Sequence, residues 1–216
     1  MTDRMPGRTI SAYRPGRTGG TAMDRRGLLL TGALGLALPL AARADGKAAR
    51  QGPALLTISG AISRHNRGPL NPALDQLLVK HGVKFDAAWE FDAAMLSRLP
   101  SVTIEPTLEY DARPHKLRGP LLSSVLEATG VAPDAQVMLT LRAIDGYAVA
   151  LSLADARSYR MMVATEIDGT PMSLGGLGPL WAVYDADRLL AFKDKPLKDR
   201  FGLCPWGLYS IDVKKI

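Results

Sequence analysis

The chain has 216 residues, 27 of them basic and 21 acidic, and a single cysteine, Cys204, which excludes an intrachain disulfide framework. Residues 1–44 hold seven arginines and two aspartates. Without them 20 basic residues face 19 acidic ones, so the remainder carries about +1 and lacks the basic footprint that nucleic-acid binding needs.

Residues 1–22 are rich in Arg, Gly, Thr and Pro, show no packing pattern and precede a second start at Met23; they read as a misplaced start or a disordered extension. Then come Arg25-Arg26, an apolar run from Gly27 to Leu40, and Ala42-Arg43-Ala44, the order of a secretory signal peptide. The run of 14 residues falls short of the roughly 20 needed to span hydrocarbon, so no membrane anchor is expected. Arg25-Arg26-Gly27-Leu28-Leu29 also resembles the twin-arginine signal, which exports folded proteins, and both export routes stay open. Either route leads to the periplasm. The mature chain behind this leader has about 172 residues, a polar tether at 45–53 and then one domain with a sizeable core.

Ala54–Ile62 is rich in β-formers and broken by Gly60, and reads as a strand. Arg64–Pro72 is a loop in which Asn71 is placed to cap a helix and Pro72 to open it. Leu74, Leu77, Leu78 and His81 fall at i, i+3, i+4 and i+7, the apolar face of that helix, with Gly82 as its stop. Asp92 caps a second helix whose inner face is Met95, Leu96 and Leu99 and which Pro100 ends. Ser101–Tyr110 alternates as a strand, although Pro106 demotes its second half to an edge or bulge. After the loop Asp111–His115, a short strand and a helix carrying Leu122, Val125 and Leu126 run to Gly130. Asp145-Gly146 sits between two strand-like runs, a strong hairpin signal, and Asp168-Gly169 repeats it. A glycine-rich loop leads to a strand at Leu180–Tyr184, and Gly207–Val213 is the last strand. Strands interleaved with two or three short helices predict an α+β domain with a largely antiparallel or mixed sheet.

The three histidines, His65, His81 and His115, lack the spacing of a metal site. His81 is expected in the core or at its boundary, and His65 and His115 in basic loops. No GxSxG elbow argues for a hydrolase, and the loop Ser173–Trp181 follows no nucleotide-binding pattern. That loop reads either as a tight connection or as backbone N–H groups facing an anion. Arg113, His115, Lys116 and Arg118 form either a phosphate-type clamp or a solvated basic loop.

Five segments, LTISGAI, FDAAMLSRLPSVTIEPTLE, LRGPLLSSVLEATGV, YRMMVATEIDGTPMSLGGLGPLWAVY and WGLYSIDV, resemble in order the molybdopterin-binding domain of sulfite-oxidase-type oxidoreductases, in particular its short exported bacterial members. The resemblance covers Ala54–Val213, with Arg64–Ala88 as an insertion, and implies a mixed-sheet α+β fold holding molybdopterin, the molybdenum cofactor, for redox of a small oxo-compound. It implies a cysteine metal ligand at about Thr107–Glu109, where this chain has none; threonine or glutamate oxygen is a poor substitute for a thiolate. By placement, Arg113, His115, Arg118, Gly178 and Thr107 are the expected cofactor-facing residues, and no metal ligand is assigned. Tyr147, Trp181 and Tyr184 lie on strand-like runs and are expected in the core. Cys204 falls far along the chain from the implied ligand position and is expected to be structural. Two functions are compatible with this: a redox enzyme, or a non-catalytic periplasmic module of the same fold that binds a small anion, a pterin or a redox or signalling partner protein.

Overall fold

The structure, a computed structural model, describes residues 50–216. The expected leader and the tether up to residue 49 lie outside the described residues. Among those described, no helix is long and apolar enough to cross a membrane.

Fifteen elements run in order: β1 (Leu56–Gly60), α1 (Gln76–Lys80), β2 (Ala88–Phe91), α2 (Ala93–Ser97), β3 (Ser101–Ile104), β4 (Leu117–Pro120), α3 (Leu122–Ala128), β5 (Val137–Ala143), β6 (Ala148–Ser152), α4 (Leu153–Ser158), β7 (Met162–Ala164), β8 (Glu166–Ile167), β9 (Thr170–Pro171), β10 (Trp181–Val183) and β11 (Leu208–Lys215). The fold is α+β with few short helices and a mixed sheet, as the sequence predicts. The main sheet has the order β2-β1-β11-β5-β6, with β1 parallel to β11 and the remaining pairs antiparallel. A second sheet runs β3-β4-β8-β9, and β7 pairs with β10.

Alternation explains the main sheet's inner face. Val137, Leu139, Leu141 and Ala143 of β5 are buried and every second residue between them is half-buried. On β11, Leu208 and Ile211 lie an odd number of residues apart, yet both face the same core. A bulge between Leu208 and Ser210 absorbs the extra residue, Tyr209, and restores the register with Ala143 and Leu141. The displaced Tyr209 hydroxyl meets His81 Nδ1 at 2.8 Å, which fixes His81 at the boundary of the core.

Several expected elements differ in the structure. The first helix begins at Gln76 rather than Pro72; the Asn71 side chain instead accepts from the Ala73 and Leu74 amides, and the local turn consumes the expected first helical turn. The expected apolar face is only partly buried: Leu78 is inside, whereas Leu74 is 80% exposed and Leu77 40%. The strand from Ser101 stops at Ile104 because Pro106 has no N–H for the ladder. Strand β2 was not legible: the buried Glu90 breaks the apolar pattern, and it is charge-paired with Arg50 and Arg67, the latter also meeting Asp75. Helix α4 was masked by its strand-like start, and Ser152 caps it by accepting from the Asp155 amide at 2.9 Å. The second helix behaves as expected: Asp92 accepts from the Met95 amide at 2.7 Å and Met95 and Leu96 are buried.

Strand β4 joins the second sheet to β7 at Gly119, where an added Cβ would lie 2.0 Å from the Val163 carbonyl oxygen. Nothing surrounds a Cβ at Gly68. Gly119→Ala is expected to destabilise the fold by about 1–3 kcal/mol, and Gly68→Ala to stay within about 0.5 kcal/mol, read as urea midpoints at unchanged slope.

Candidate functional site

The chain between β3 and β4 leaves the sheet at Pro106 and returns at His115. Its base is closed by an isolated bridge between Thr107 and Pro114 and by hydrogen bonds from the Leu108 amide to the Arg113 carbonyl (2.9 Å) and the His115 amide to the Pro106 carbonyl (3.1 Å). Leu108 anchors the loop in the core at 3% exposure. Its neighbours Glu109 and Tyr110 border a cavity of about 270 Å³.

The far wall of that cavity is the segment entering β11. The Gly207 amide donates to the Leu177 carbonyl (3.1 Å), the Leu208 amide to the Leu180 carbonyl (2.8 Å) and the Ile144 amide to the Gly207 carbonyl (3.0 Å). The Trp181 indole N–H donates to the Cys204 carbonyl at 2.9 Å inside the core. These bonds require a left-handed Gly207, φ 62°, and a Cβ there would lie 3.0 Å from Ile144. They leave Cys204 and Trp206 on the cavity wall. The β5–β6 hairpin supplies Asp145 and Tyr147, whose hydroxyl donates to the Gly202 carbonyl at 2.7 Å, and Lys198 stands at the exposed rim.

Electrostatically the cavity is mixed. Partial desolvation of the hydroxyl end of this otherwise exposed side chain, with the Glu109 carboxylate beside it, pushes the Tyr110 hydroxyl up to about 12, so the phenol stays neutral. Burial likewise pushes the Cys204 thiol up to about 12, where it is protonated and a weak nucleophile. Thus Cys204, distant in sequence from Thr107–Glu109, borders the same cavity as Glu109.

The sequence-predicted residues do not share that cavity. Thr107 is half-buried and its amide donates to Asp187 at 2.7 Å, while Asp187 also accepts from Arg200 at 2.8 Å. His115 lies between Asp168 (2.7 Å) and Asp111 (2.9 Å). Arg118 pairs with Glu166 at 2.8 Å across neighbouring strands. Arg113 is exposed, and Asp111 accepts from its amide at 3.1 Å. Gly178 is buried before the cis bond to Pro179; a Cβ on it would lie 2.6 Å from Met172, so the glycine is there to close the loop. Pro179 borders a different, apolar cavity of about 430 Å³ beside α2. Trp181 and Tyr184 are core residues as expected, at 1% and 0% exposure. Tyr147 is not: it is 50% exposed and forms part of the cavity wall, because it follows the Asp145-Gly146 turn and precedes the first residue of β6.

Glu109, Tyr110, Asp145, Tyr147, Lys198 and Trp206 are therefore among the cavity residues that sequence reasoning missed. The available signals were Tyr110 immediately after a proline-broken strand and Trp206 within the lone-cysteine segment. Neither carries a spacing rule. A third cavity, of about 330 Å³, lies along β3 and is bordered by Asp185. Burial raises the Asp185 carboxyl, whose Oδ1 has no hydrogen-bond partner, although Arg188 lies 3.2 Å from its other oxygen.

The donor set does not fit a thiolate-held molybdenum. Glu109 and a protonated, buried Cys204 are the ligating types on this cavity wall apart from Asp145, and among the described residues no group of three or more His, Cys, Asp or Glu side chains is arranged to hold a metal ion. Nor does the basic loop fit a phosphate, since an incoming anion would have to displace Asp111 and Asp168 from His115 and Glu166 from Arg118.

The His115 cluster titrates. Hydrogen bonds to Asp168 and then Asp111 raise the histidine above its ordinary value, and the same bonds lower both carboxyls. The histidine's contribution is complete below its unfolded pKa of about 6.5 and is lost as pH rises through the folded value. The carboxyls' contribution is complete above about 3.9 and is lost as pH falls. His115→Gln is accordingly expected to lower the melting temperature most between about pH 4 and 6.5, with a difference that shrinks on the alkaline side. A difference independent of pH would overturn this account of the His115 cluster. Cys204 is expected to stay silent to a thiol reagent at about pH 8 in the native protein and to react on unfolding, measured by released chromophore.

No protein-family profile matches the chain, and no curated protein matches it. Among solved structures, the sulfane dehydrogenase SoxCD from Paracoccus pantotrophus aligns at 12% identity with a TM-score of 0.47, over 74% of this chain and 38% of that one. This chain thus spans well under half the length of that neighbour.

Proposed function

We propose that this chain is a ligand-binding module of the sulfite-oxidase-type molybdopterin-binding fold, exported to the periplasm, that takes up a small ligand in the Glu109–Trp206 cavity without a thiolate-held metal. The observation that carries this reading is the state of the implied ligand position. Thr107 stands there with its amide committed to Asp187, and the one cysteine on the cavity wall is a buried, protonated thiol. The family resemblance in five ordered segments supports the fold, and the Arg25-Arg26 leader supports export. A periplasmic module of this kind would report its ligand to a redox or signalling partner.

A molybdenum-dependent oxidoreductase is the second reading, favoured by the meeting of Cys204 and Glu109 on one cavity. A molybdopterin there would supply two-electron oxo-transfer chemistry, and Cys204 and Glu109 are the side chains that would approach it.

Metal and pterin analysis of the mature protein, purified from a host that makes the cofactor, separates the two. The module reading expects molybdenum far below one per chain and no pterin fluorescence after denaturation. Stoichiometric molybdenum overturns it, and loss of that metal in Cys204→Ser would assign the bond to this thiol.

A further inference from the structure

Among the described residues three aromatic side chains are exposed: Tyr110 at 57%, Tyr147 at 50% and Trp206 at 36%. All three border the same cavity. They come from three separate places in the chain: the loop after β3, the β5–β6 turn and the segment entering β11. Each is placed there by its own segment of the fold. Tyr110 follows the buried Leu108, the Tyr147 hydroxyl is tied to the Gly202 carbonyl, and Trp206 is fixed between the pinned backbones of Pro205 and Gly207.

Exposed aliphatic side chains scattered over a protein, as at Leu74, Leu174 and Leu190 here, need no explanation, but the gathering of the three exposed aromatic rings around one concavity does. The charges there decide what the concavity suits. Glu109 and Asp145 supply two carboxylates against one ammonium, that of Lys198 at the rim. Asp145 is oriented by the Tyr147 amide, which donates to it at 2.8 Å. The faces of indole and phenol rings are electron-rich and attract a weakly hydrated cation, and nearby carboxylates add to that attraction. The Tyr110 phenol remains neutral over the ordinary pH range, so its ring keeps this character. At about 270 Å³ the space falls below the roughly 300–1,000 Å³ that holds drug-sized molecules, which points to a ligand of a few heavy atoms.

We propose that the cavity bordered by Glu109, Tyr110, Tyr147 and Trp206 binds a small quaternary ammonium compound, its cationic head against the three rings and the two carboxylates. The proposal rests on the ligand-binding reading above and names the ligand class for the same cavity. Lys198 discriminates within that class, since its ammonium favours a ligand whose tail carries a carboxylate over one with a neutral tail.

Ligand-observed NMR titration of the metal-assayed mature protein tests this with three probes at matched ionic strength: choline, glycine betaine and 3,3-dimethylbutanol, the uncharged isostere of choline. One or both trimethylammonium ligands should saturate the protein and outcompete the isostere. Betaine binding more tightly than choline would place Lys198 on the tail. Trp206→Leu, which keeps apolar bulk but removes the ring face, should weaken the cations about two- to thirtyfold and leave the isostere within about twofold. Glu109→Gln should weaken them without altering the fold, as read by an unchanged urea midpoint. Equal binding of choline and the isostere, or no saturable binding of any probe, overturns the proposal. Neither result alters the molybdenum content of the same samples, so the failure of the cation site and the failure of the metal-free reading are separately visible.

Discussion

The parallel pairing of β1 with β11 is the constraint on which the rest of the domain depends. It joins the first and last strands of the described chain, Thr57 opposite Ser210 and Gly60 opposite Val213, so every intervening element must be accommodated between two strands fixed beside each other. Parallel neighbours cannot be joined by a tight turn, and here the connection is nearly the whole domain. The left-handed Gly60, at φ 91°, permits the approach: a Cβ on it would lie 2.1 Å from the Val213 carbonyl oxygen. With β11 central in its sheet, the irregularities at its start become structural instructions. The bulge at Tyr209 keeps Leu208 in the core, and the bonded segment from Pro205 to Gly207 turns Cys204 and Trp206 onto the cavity wall.

A second layer of order comes from carboxylates placed to hold loops rather than to do chemistry. Asp187 ties the Thr107 amide to Arg200, and Asp168 ties His115 and the Lys116 amide to the β8–β9 turn. Asp92 caps α2 while accepting from the Gln51 and Gly52 amides at 2.6 and 2.9 Å, which draws its pKa down. Bonds of the same kind occupy His115, held by Asp168 and Asp111, and Arg118, held by Glu166. In the sequence the basic residues around 113–118 have the composition of an anion clamp. In the fold two of the four already face acids from neighbouring strands and turns, and charge on a surface loop is spent on ordering the loop.

The regular parts of this architecture were legible in the sequence because each rested on a local rule. Asp145-Gly146 and Asp168-Gly169 specify turns through backbone conformations that few residues adopt, and both hairpins form there. The Asp92 cap and the apolar spacing behind it specify α2 in the same way. The failures share a cause: tertiary context overrode the pattern. Leu74 and Leu77 keep helical spacing but have no partner element over them, and β2 carries a buried glutamate whose arginine partners lie 23 and 40 residues away. The cavity was the least legible feature, because it is assembled from three distant segments whose only common property, an exposed aromatic ring, is invisible until the fold brings them together.

Cys204 shows how far such convergence changes an argument from chain position. Judged along the sequence, it stands about 95 residues from the Thr107–Glu109 region and looks unrelated to it. In the fold the two segments face one cavity, so distance gives no reason to exclude the thiol from its chemistry. What argues against a ligand role is its environment. The thiol lies beside the buried Tyr184 ring, which itself stacks at 4.5 Å on Phe192, and burial holds its proton. Deprotonating it would place an anion in an apolar setting with Glu109 nearby, two unfavourable terms that only a metal cation or another strong positive charge could offset. The same reasoning connects the two negative charges on the cavity wall to the three aromatic rings around them: each lowers the free energy of a cation and raises that of an anion. A pocket with this lining is matched to a positively charged ligand.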